Sequence, residues 1–125
     1  MKGILFVDDH EVLARLSCEI LQTQGYRAEY AYSGAEALAK FEESSFDALV
    51  TDFRMDDMNG VELARLIRQK APDLPVIVVT GFAPDQDYGN EFNAWLEKQD
   101  LFPALLDTLR SLIGEGDPEE TLRSA

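Results

Sequence analysis

Short runs of β-branched and aliphatic residues alternate along this chain with stretches whose apolar positions recur every three to four residues, the pattern of strands alternating with helices. GILFVD (3–8) predicts a buried strand, followed by a helix from about Glu11 to Gln24 with Leu13, Leu16 and Ile20 at helical spacing. Gly25 suits the end of that helix because it tolerates a left-handed cap. RAEYAY (27–32) predicts a second strand, and Ser33 to Glu36 has capping-box spacing ahead of a helix through Ala37, Leu38 and Phe41. DALVTD (47–52) predicts a third strand; its nearly continuous apolar run suits a strand covered on both faces, and it ends on Asp52. Asn59, with Glu62 three residues on, predicts the cap of a helix that turns Leu63, Leu66 and Ile67 inward. Pro72 and Pro75 bracket the turn into PVIVVT (75–80), the most apolar strand. The polar stretch 81–93, with Pro84 and Gly89, admits at most a short helix, and AWLEK (94–98) predicts a short fifth strand. A last helix is expected from about Leu101 to Ile113, with Pro103 accommodated in its first turn. The polar segment 114–125 reads as a loosely ordered tail, giving a domain over 1–113.

Five strands alternating with helices imply a three-layer α/β/α sandwich around a parallel sheet. In such sheets functional loops gather at the carboxyl ends of the strands, beside the point where the strand order reverses. The chain's 125 residues fit one compact domain. Charge narrows the function: 11 Lys and Arg against 24 Asp and Glu give a net charge of −13, a field that repels nucleic-acid phosphates and anionic membrane surfaces. No apolar run approaches the ~20 residues of a membrane-spanning helix, and the short ILFV run behind Met1-Lys2 lacks the features of a signal peptide, so a cytoplasmic protein is expected. A lone cysteine in a helical pattern, Cys18, reads as packing.

The polar residues predicted at strand carboxyl ends are Asp8 and Asp9 after the first strand, Asp52 ending the third, Thr80 ending the fourth and Lys98 ending the fifth. All five are expected to converge on one edge of the sheet. Clustered carboxylates are unfavourable alone: at ~5 Å and an effective dielectric of ~20, each like pair repels by about 3 kcal/mol. A hard divalent ion such as Mg²⁺, with Mn²⁺ as an alternative, suits such oxygen ligands. Lys98 adds a second positive charge and Thr80 a hydroxyl donor, a combination able to hold a phosphoryl group. His10 follows the acid pair, but no second histidine exists and Mg²⁺ prefers oxygen, so His10 reads as a loop residue. Asp56 and Asp57 read as exposed loop acids.

The double acid VDD (7–9), the D-x-x-M segment with a later glycine (Asp52, Met55, Gly60), VVTG (78–81) and a lysine after the fifth strand together resemble the receiver domain of two-component response regulators. The resemblance runs over about residues 3 to 113. It implies a flavodoxin-like sheet of order 2-1-3-4-5, and Asp52 as the carboxylate that accepts a phosphoryl group from a histidine kinase or histidine phosphotransfer protein. It further implies Mg²⁺ held by Asp8, Asp9, Asp52 and the backbone carbonyl of Arg54, with Thr80 and Lys98 on the phosphoryl oxygens. Trp95 stands in the place of the family's switch aromatic. The downstream partner is an unknown protein, for which the negative charge favours basic patches.

Several positions depart from the family pattern. Asp56 stands where proline usually follows the methionine, which loosens that loop. Gln99 stands where proline usually follows the lysine, commonly through a cis bond; a cis bond before a non-proline residue costs ~2.5–4 kcal/mol, so Lys98–Gln99 is expected to be trans, with an altered approach of the lysine. The segment between Thr80 and Lys98 is a few residues short, which predicts a truncated or irregular helix there and calls the usual output surface into question. Arg54 and Phe82 are bulky neighbours of the phosphoryl site, expected to restrict attacking water. The leading reading is a phosphorylation switch rather than an enzyme. Its alternatives are a degenerate receiver serving as a constitutive protein-binding module and, less favoured, an aspartate-nucleophile phosphohydrolase.

Overall fold

The computed structural model describes residues 1–81 and 92–116. Its centre is a five-stranded parallel sheet of β1 (Gly3–Val7), β2 (Arg27–Ala31), β3 (Ala48–Asp52), β4 (Val76–Thr80) and β5 (Ala94–Glu97), in the order β2-β1-β3-β4-β5. The three inner strands, β1, β3 and β4, are buried along their whole length because alternate residues serve opposite cores, whereas the edge strands β2 and β5 are only partly buried. Ile4, Phe6, Val50, Ile77 and Val79 face one layer, whereas Leu5, Val7, Leu49, Val76 and Val78 face the other. The first layer is built by α1 (Glu11–Thr23) and α4 (Leu101–Ile113), the second by α2 (Gly34–Glu43) and α3 (Gly60–Arg68).

The buried stripe of α1 is Ala14, Ser17, Cys18 and Leu21, with Leu13 half-buried against the same core. Leu16 and Ile20, at the predicted spacing, are 52% and 39% exposed. Two apolar stripes compete on this helix, and the one with small residues wins because Ala14, Ser17 and Cys18 let the helix lie close on the sheet. Burial pushes the Cys18 thiol up to about 12, which keeps it protonated and makes it a packing group. Leu63 and Ile67 of α3 are buried as expected, but Leu66 is 38% exposed, lying beyond the edge of the buried stripe.

The helix caps follow the sequence signals. Ser33 Oγ accepts from Glu36 N at 3.0 Å at the start of α2, and Asn59 and Glu62 form the full reciprocal box at the start of α3. Gly25 takes a positive φ of 88°. Pro103 is not part of a regular first turn: Phe102 has extended dihedrals (φ −113°, ψ 133°), the Phe102–Pro103 bond is cis, and the helix is broken there. A short 3₁₀ turn, Lys98–Asp100, occupies the entry to α4. At the far end, Tyr26 Oη donates to the Gly114 carbonyl at 2.8 Å, tying residues beyond α4 to the start of β2. The expected short helix between β4 and β5 falls largely on 82–91, and most of the expected loose tail on 117–125; both lie outside the described residues.

The two faces of α1 predict unequal costs. Leu21→Ala removes a fully buried side chain and is expected to destabilise the fold by about 2–5 kcal/mol, whereas Leu16→Ala stays within about 0.5 kcal/mol, as read by urea denaturation.

Candidate functional site

Parallel strands end together, so whatever follows β1, β3, β4 and β5 shares one sheet edge. Asp8 directly follows β1, its N–H bonded to the Ala31 carbonyl at 3.1 Å, and it is 1% exposed. Its Oδ1 accepts from His10 N at 2.9 Å. His10 is the N-cap of α1, with Nδ1 accepting from Leu13 N at 3.2 Å, so it is a structural cap rather than a plain loop residue. Asp52, the last residue of β3, is 6% exposed, and Phe53 N continues the ladder to the Val79 carbonyl at 3.0 Å. Because β1 and β3 are neighbours, two nearly buried carboxylates meet, and exposed Asp9 joins them: one oxygen from each of Asp8, Asp9 and Asp52 lies within 4.8 Å of the others.

Lys98 comes from the far side of the sheet. Its Nζ sits 3.0 Å from Asp52 Oδ2 and 3.5 Å from Asp8 Oδ2. The Lys98–Gln99 bond is trans, since the cis bond among the described residues is Phe102–Pro103, and the ammonium still reaches both acids. Thr80 ends β4, one residue past Val79, which registers with Asp52; it is 4% exposed. Gly60 belongs to the same corner. Its N–H closes the β3–α3 loop on the Phe53 carbonyl at 2.8 Å, and a Cβ there would lie 2.6 Å from the Asp52 carbonyl oxygen, so only glycine fits without a shift of backbone.

Burial, followed by the charge of Asp8, pushes the Asp52 carboxyl above the usual range; the bond and charge of Lys98, with the Arg54 N–H, oppose this. Lys98 is pulled down by partial burial, but its bond to Asp52 and the charges of Asp8 and Asp52 win and raise it. Three carboxylates against one ammonium leave the cluster under-compensated. Asp8 Oδ2, moreover, is buried and accepts no hydrogen bond from a described residue. A buried carboxylate oxygen whose described partner is only the longer 3.5 Å ion pair to Lys98, within an all-oxygen donor set, fits a hard divalent cation.

Trp95 lies on β5 opposite Val78, its ring 5.6 Å from Phe53 and 5.4 Å from Phe92 by centroid. Its Nε1 is buried without an acceptor among the described residues. The exposed Arg54 is described, but Phe82 lies outside the described residues. Asp57 departs from the reading of it as a plain loop acid: its carboxylate accepts from Gly34 N at 3.1 Å and Ala35 N at 2.9 Å, both at the start of α2. These partners are more than twenty positions earlier in the chain, so no local motif announces the contact.

With this geometry the comparisons with known proteins agree. The sequence profile of the response regulator receiver domain matches residues 4–98, and the chain belongs to that family. The response regulator receiver protein CpdR of Brucella abortus is 37% identical over 92 residues, covering 70% of this chain and 77% of CpdR. The response regulator MprA of Mycobacterium bovis is 32% identical over 125 residues, covering 97% of this chain, which spans only 54% of MprA. The response regulator TrrA of Thermotoga maritima, solved in complex with Mg²⁺ and BeF, superposes with a TM-score of 0.82 at 31% identity, covering 90% of this chain and 100% of TrrA. TrrA in complex with the histidine kinase ThkA gives a TM-score of 0.81 at 32% identity, covering 90% and 99%. No helix among the described residues is long and apolar enough to cross a membrane.

The balance of charge predicts a pH effect. A carboxyl raised by folding is a liability once ionised, so the penalty from Asp52 is full above its folded value and vanishes as pH falls toward the ordinary 3.8. In chelator-treated buffer, Asp52→Asn is expected to stabilise the protein at pH 7 by about 1 kcal/mol, the relief of repulsion exceeding the lost Lys98 attraction. That gain should shrink as pH falls toward 3.8, as measured by urea denaturation across the range.

Proposed function

We infer that this chain is a phosphorylation switch in which Asp52 accepts a phosphoryl group from a histidine kinase or histidine phosphotransfer protein. The observation that carries this reading is the nearly buried Asp52 carboxylate, bonded to Lys98 and flanked by Asp8 and Asp9. Asp8, Asp9 and Asp52, with the Arg54 carbonyl, would hold Mg²⁺, or Mn²⁺ in its place. When bound, a divalent cation there would offset the clustered negative charge and part of the charge of an incoming phosphoryl group.

Asp52 supplies the attacking oxygen. Its new bond to phosphorus replaces the donor's phosphorus–nitrogen bond, and the donor histidine leaves. Lys98 favours the ionised form of Asp52 beforehand, against burial and the charge of Asp8, and afterwards contacts a phosphoryl oxygen in its stead. Thr80, at the end of the adjacent strand, donates its hydroxyl to another oxygen. Trp95 responds to that change, so phosphorylation biases a two-state equilibrium of the surface around β4 and β5. Supporting this switch role is the Trp95 Nε1, a buried donor that finds no acceptor among the described residues. Output passes to a protein partner, for which the −13 charge favours a basic surface.

Trp95 is the sole tryptophan, which makes the switch optically readable. Its fluorescence is expected to change on titration with Mg²⁺ and again on addition of beryllofluoride, and Asp52→Asn should abolish the second change. A flat response at both steps would favour a constitutive binding module instead.

A further inference from the structure

The loop that joins β3 to α3, residues 53–59, carries the Arg54 N–H that bonds the Asp52 carboxylate. Its ends are fixed by the Gly60–Phe53 bond and by the Asn59 cap. Its middle lacks the proline usual at position 56 in this family and carries Asp56 instead. One residue later, Asp57 reaches across to α2. Its two oxygens accept from Gly34 N and Ala35 N, and Oδ1 also takes Met58 N at 3.0 Å.

Those two N–H groups are orphan donors of the first turn of α2, and the third, Glu36 N, is served by Ser33. A carboxylate at this positive helix end is favourable, and the Ala35 N–H first, then Gly34 and the local N–H groups, hold Asp57 below the usual carboxylate range. The neighbouring Met58 lies over Gly34 so closely that a Cβ there would fall 2.4 Å from Met58 Cγ. Polar clasp and apolar contact together seat the loop on α2, from one side chain to the next.

We propose that Asp57 is a positioning residue for the cation and phosphoryl site: by clasping the N-terminus of α2 it holds the 53–59 loop, and with it Arg54, in register over Asp52. The clasp supplies the restraint that a proline at position 56 would have given. It also makes the start of α2 sense occupancy of the site, because whatever orders the loop orders Gly34 and Ala35. The inference rests on the cation reading of the preceding section.

The test uses the full chain, with Mg²⁺ titrated against Trp95 fluorescence and amide exchange followed at Gly34 and Ala35. Removing groups that orient metal ligands commonly weakens metal binding ~10–100-fold, and Asp57→Ala is expected at the low end, about tenfold. Asp57→Asn retains one acceptor oxygen and should fall between Asp57→Ala and wild type. Ser33→Ala weakens the same helix end through a bond that does not involve the loop, so it should lower the melting temperature while leaving Mg²⁺ affinity unchanged. In the wild type, Mg²⁺ should slow exchange at Gly34 and Ala35; in Asp57→Ala it should not.

Unchanged Mg²⁺ affinity in Asp57→Ala overturns the clasp, and so does an equal loss in Ser33→Ala, which would reduce Asp57 to a stabiliser of α2. Should Asp57→Ala fail to fold, Asp57→Asn is read in its place, and wild-type affinity there overturns the proposal. A wild-type protein blind to Mg²⁺ sinks the parent reading and the clasp with it. A normal wild-type response with an unaltered variant sinks the clasp alone.

Discussion

Two carboxylates, Asp8 and Asp52, stand almost without solvent at the ends of adjacent strands, and much of the structure around them limits what that costs. Neither β1 nor β3 can move away, since each is hydrogen-bonded on both sides and buried on both faces. The repulsion is therefore built in, and compensation must come from elsewhere. Lys98 supplies part of it from beyond β5, two strands away from β3, a span that suits a long side chain. What remains is a net negative corner in which the buried Asp8 Oδ2 has, among the described residues, only its 3.5 Å ion pair to Lys98. On the proposed reading a cation would relieve that repulsion, and the phosphoryl group, itself anionic, would then depend on the cation and on Lys98 to offset its charge.

The supporting parts surround that corner. Gly60 allows α3 to start against the Asp52 carbonyl, His10 starts α1 directly behind the acid pair, and Asp57 starts α2 from the far side of the β3–α3 loop. Three helices thus begin within a few residues of the acidic cluster or are capped by a loop leading from it. The Phe53–Trp95–Phe92 aromatic row begins one residue after Asp52.

The sheet and the acidic corner were legible in the sequence because they depend on local, repetitive signals. Uninterrupted runs such as VIVVT require cover on both faces, and polar residues at the ends of such runs have one place to go. The box of Asn59 and Glu62 is likewise written within four residues. The inward face of α1 was not legible, because Leu16 and Ile20 are as apolar as the residues buried in their place and only the need for close packing selects Ala14, Ser17 and Cys18. Pro103 suggested an ordinary first turn, yet Phe102 is extended and the helix breaks. Asp57 was illegible for another reason: its partners, Gly34 and Ala35, become neighbours only once α2 and α3 lie side by side on the sheet.

The claim on which the rest turns is that the strained aspartate at the end of β3 is the one that takes the phosphoryl group. Intact-mass and peptide-level mass spectrometry of the chain after incubation with Mg²⁺ and a small acyl phosphate donor tests it directly. The account predicts one base-labile phosphoryl adduct, mapped to Asp52, dependent on Mg²⁺ and lost in Asp52→Asn. An adduct at Asp56 or Asp57, or none at all in folded, Mg²⁺-loaded protein, would contradict it.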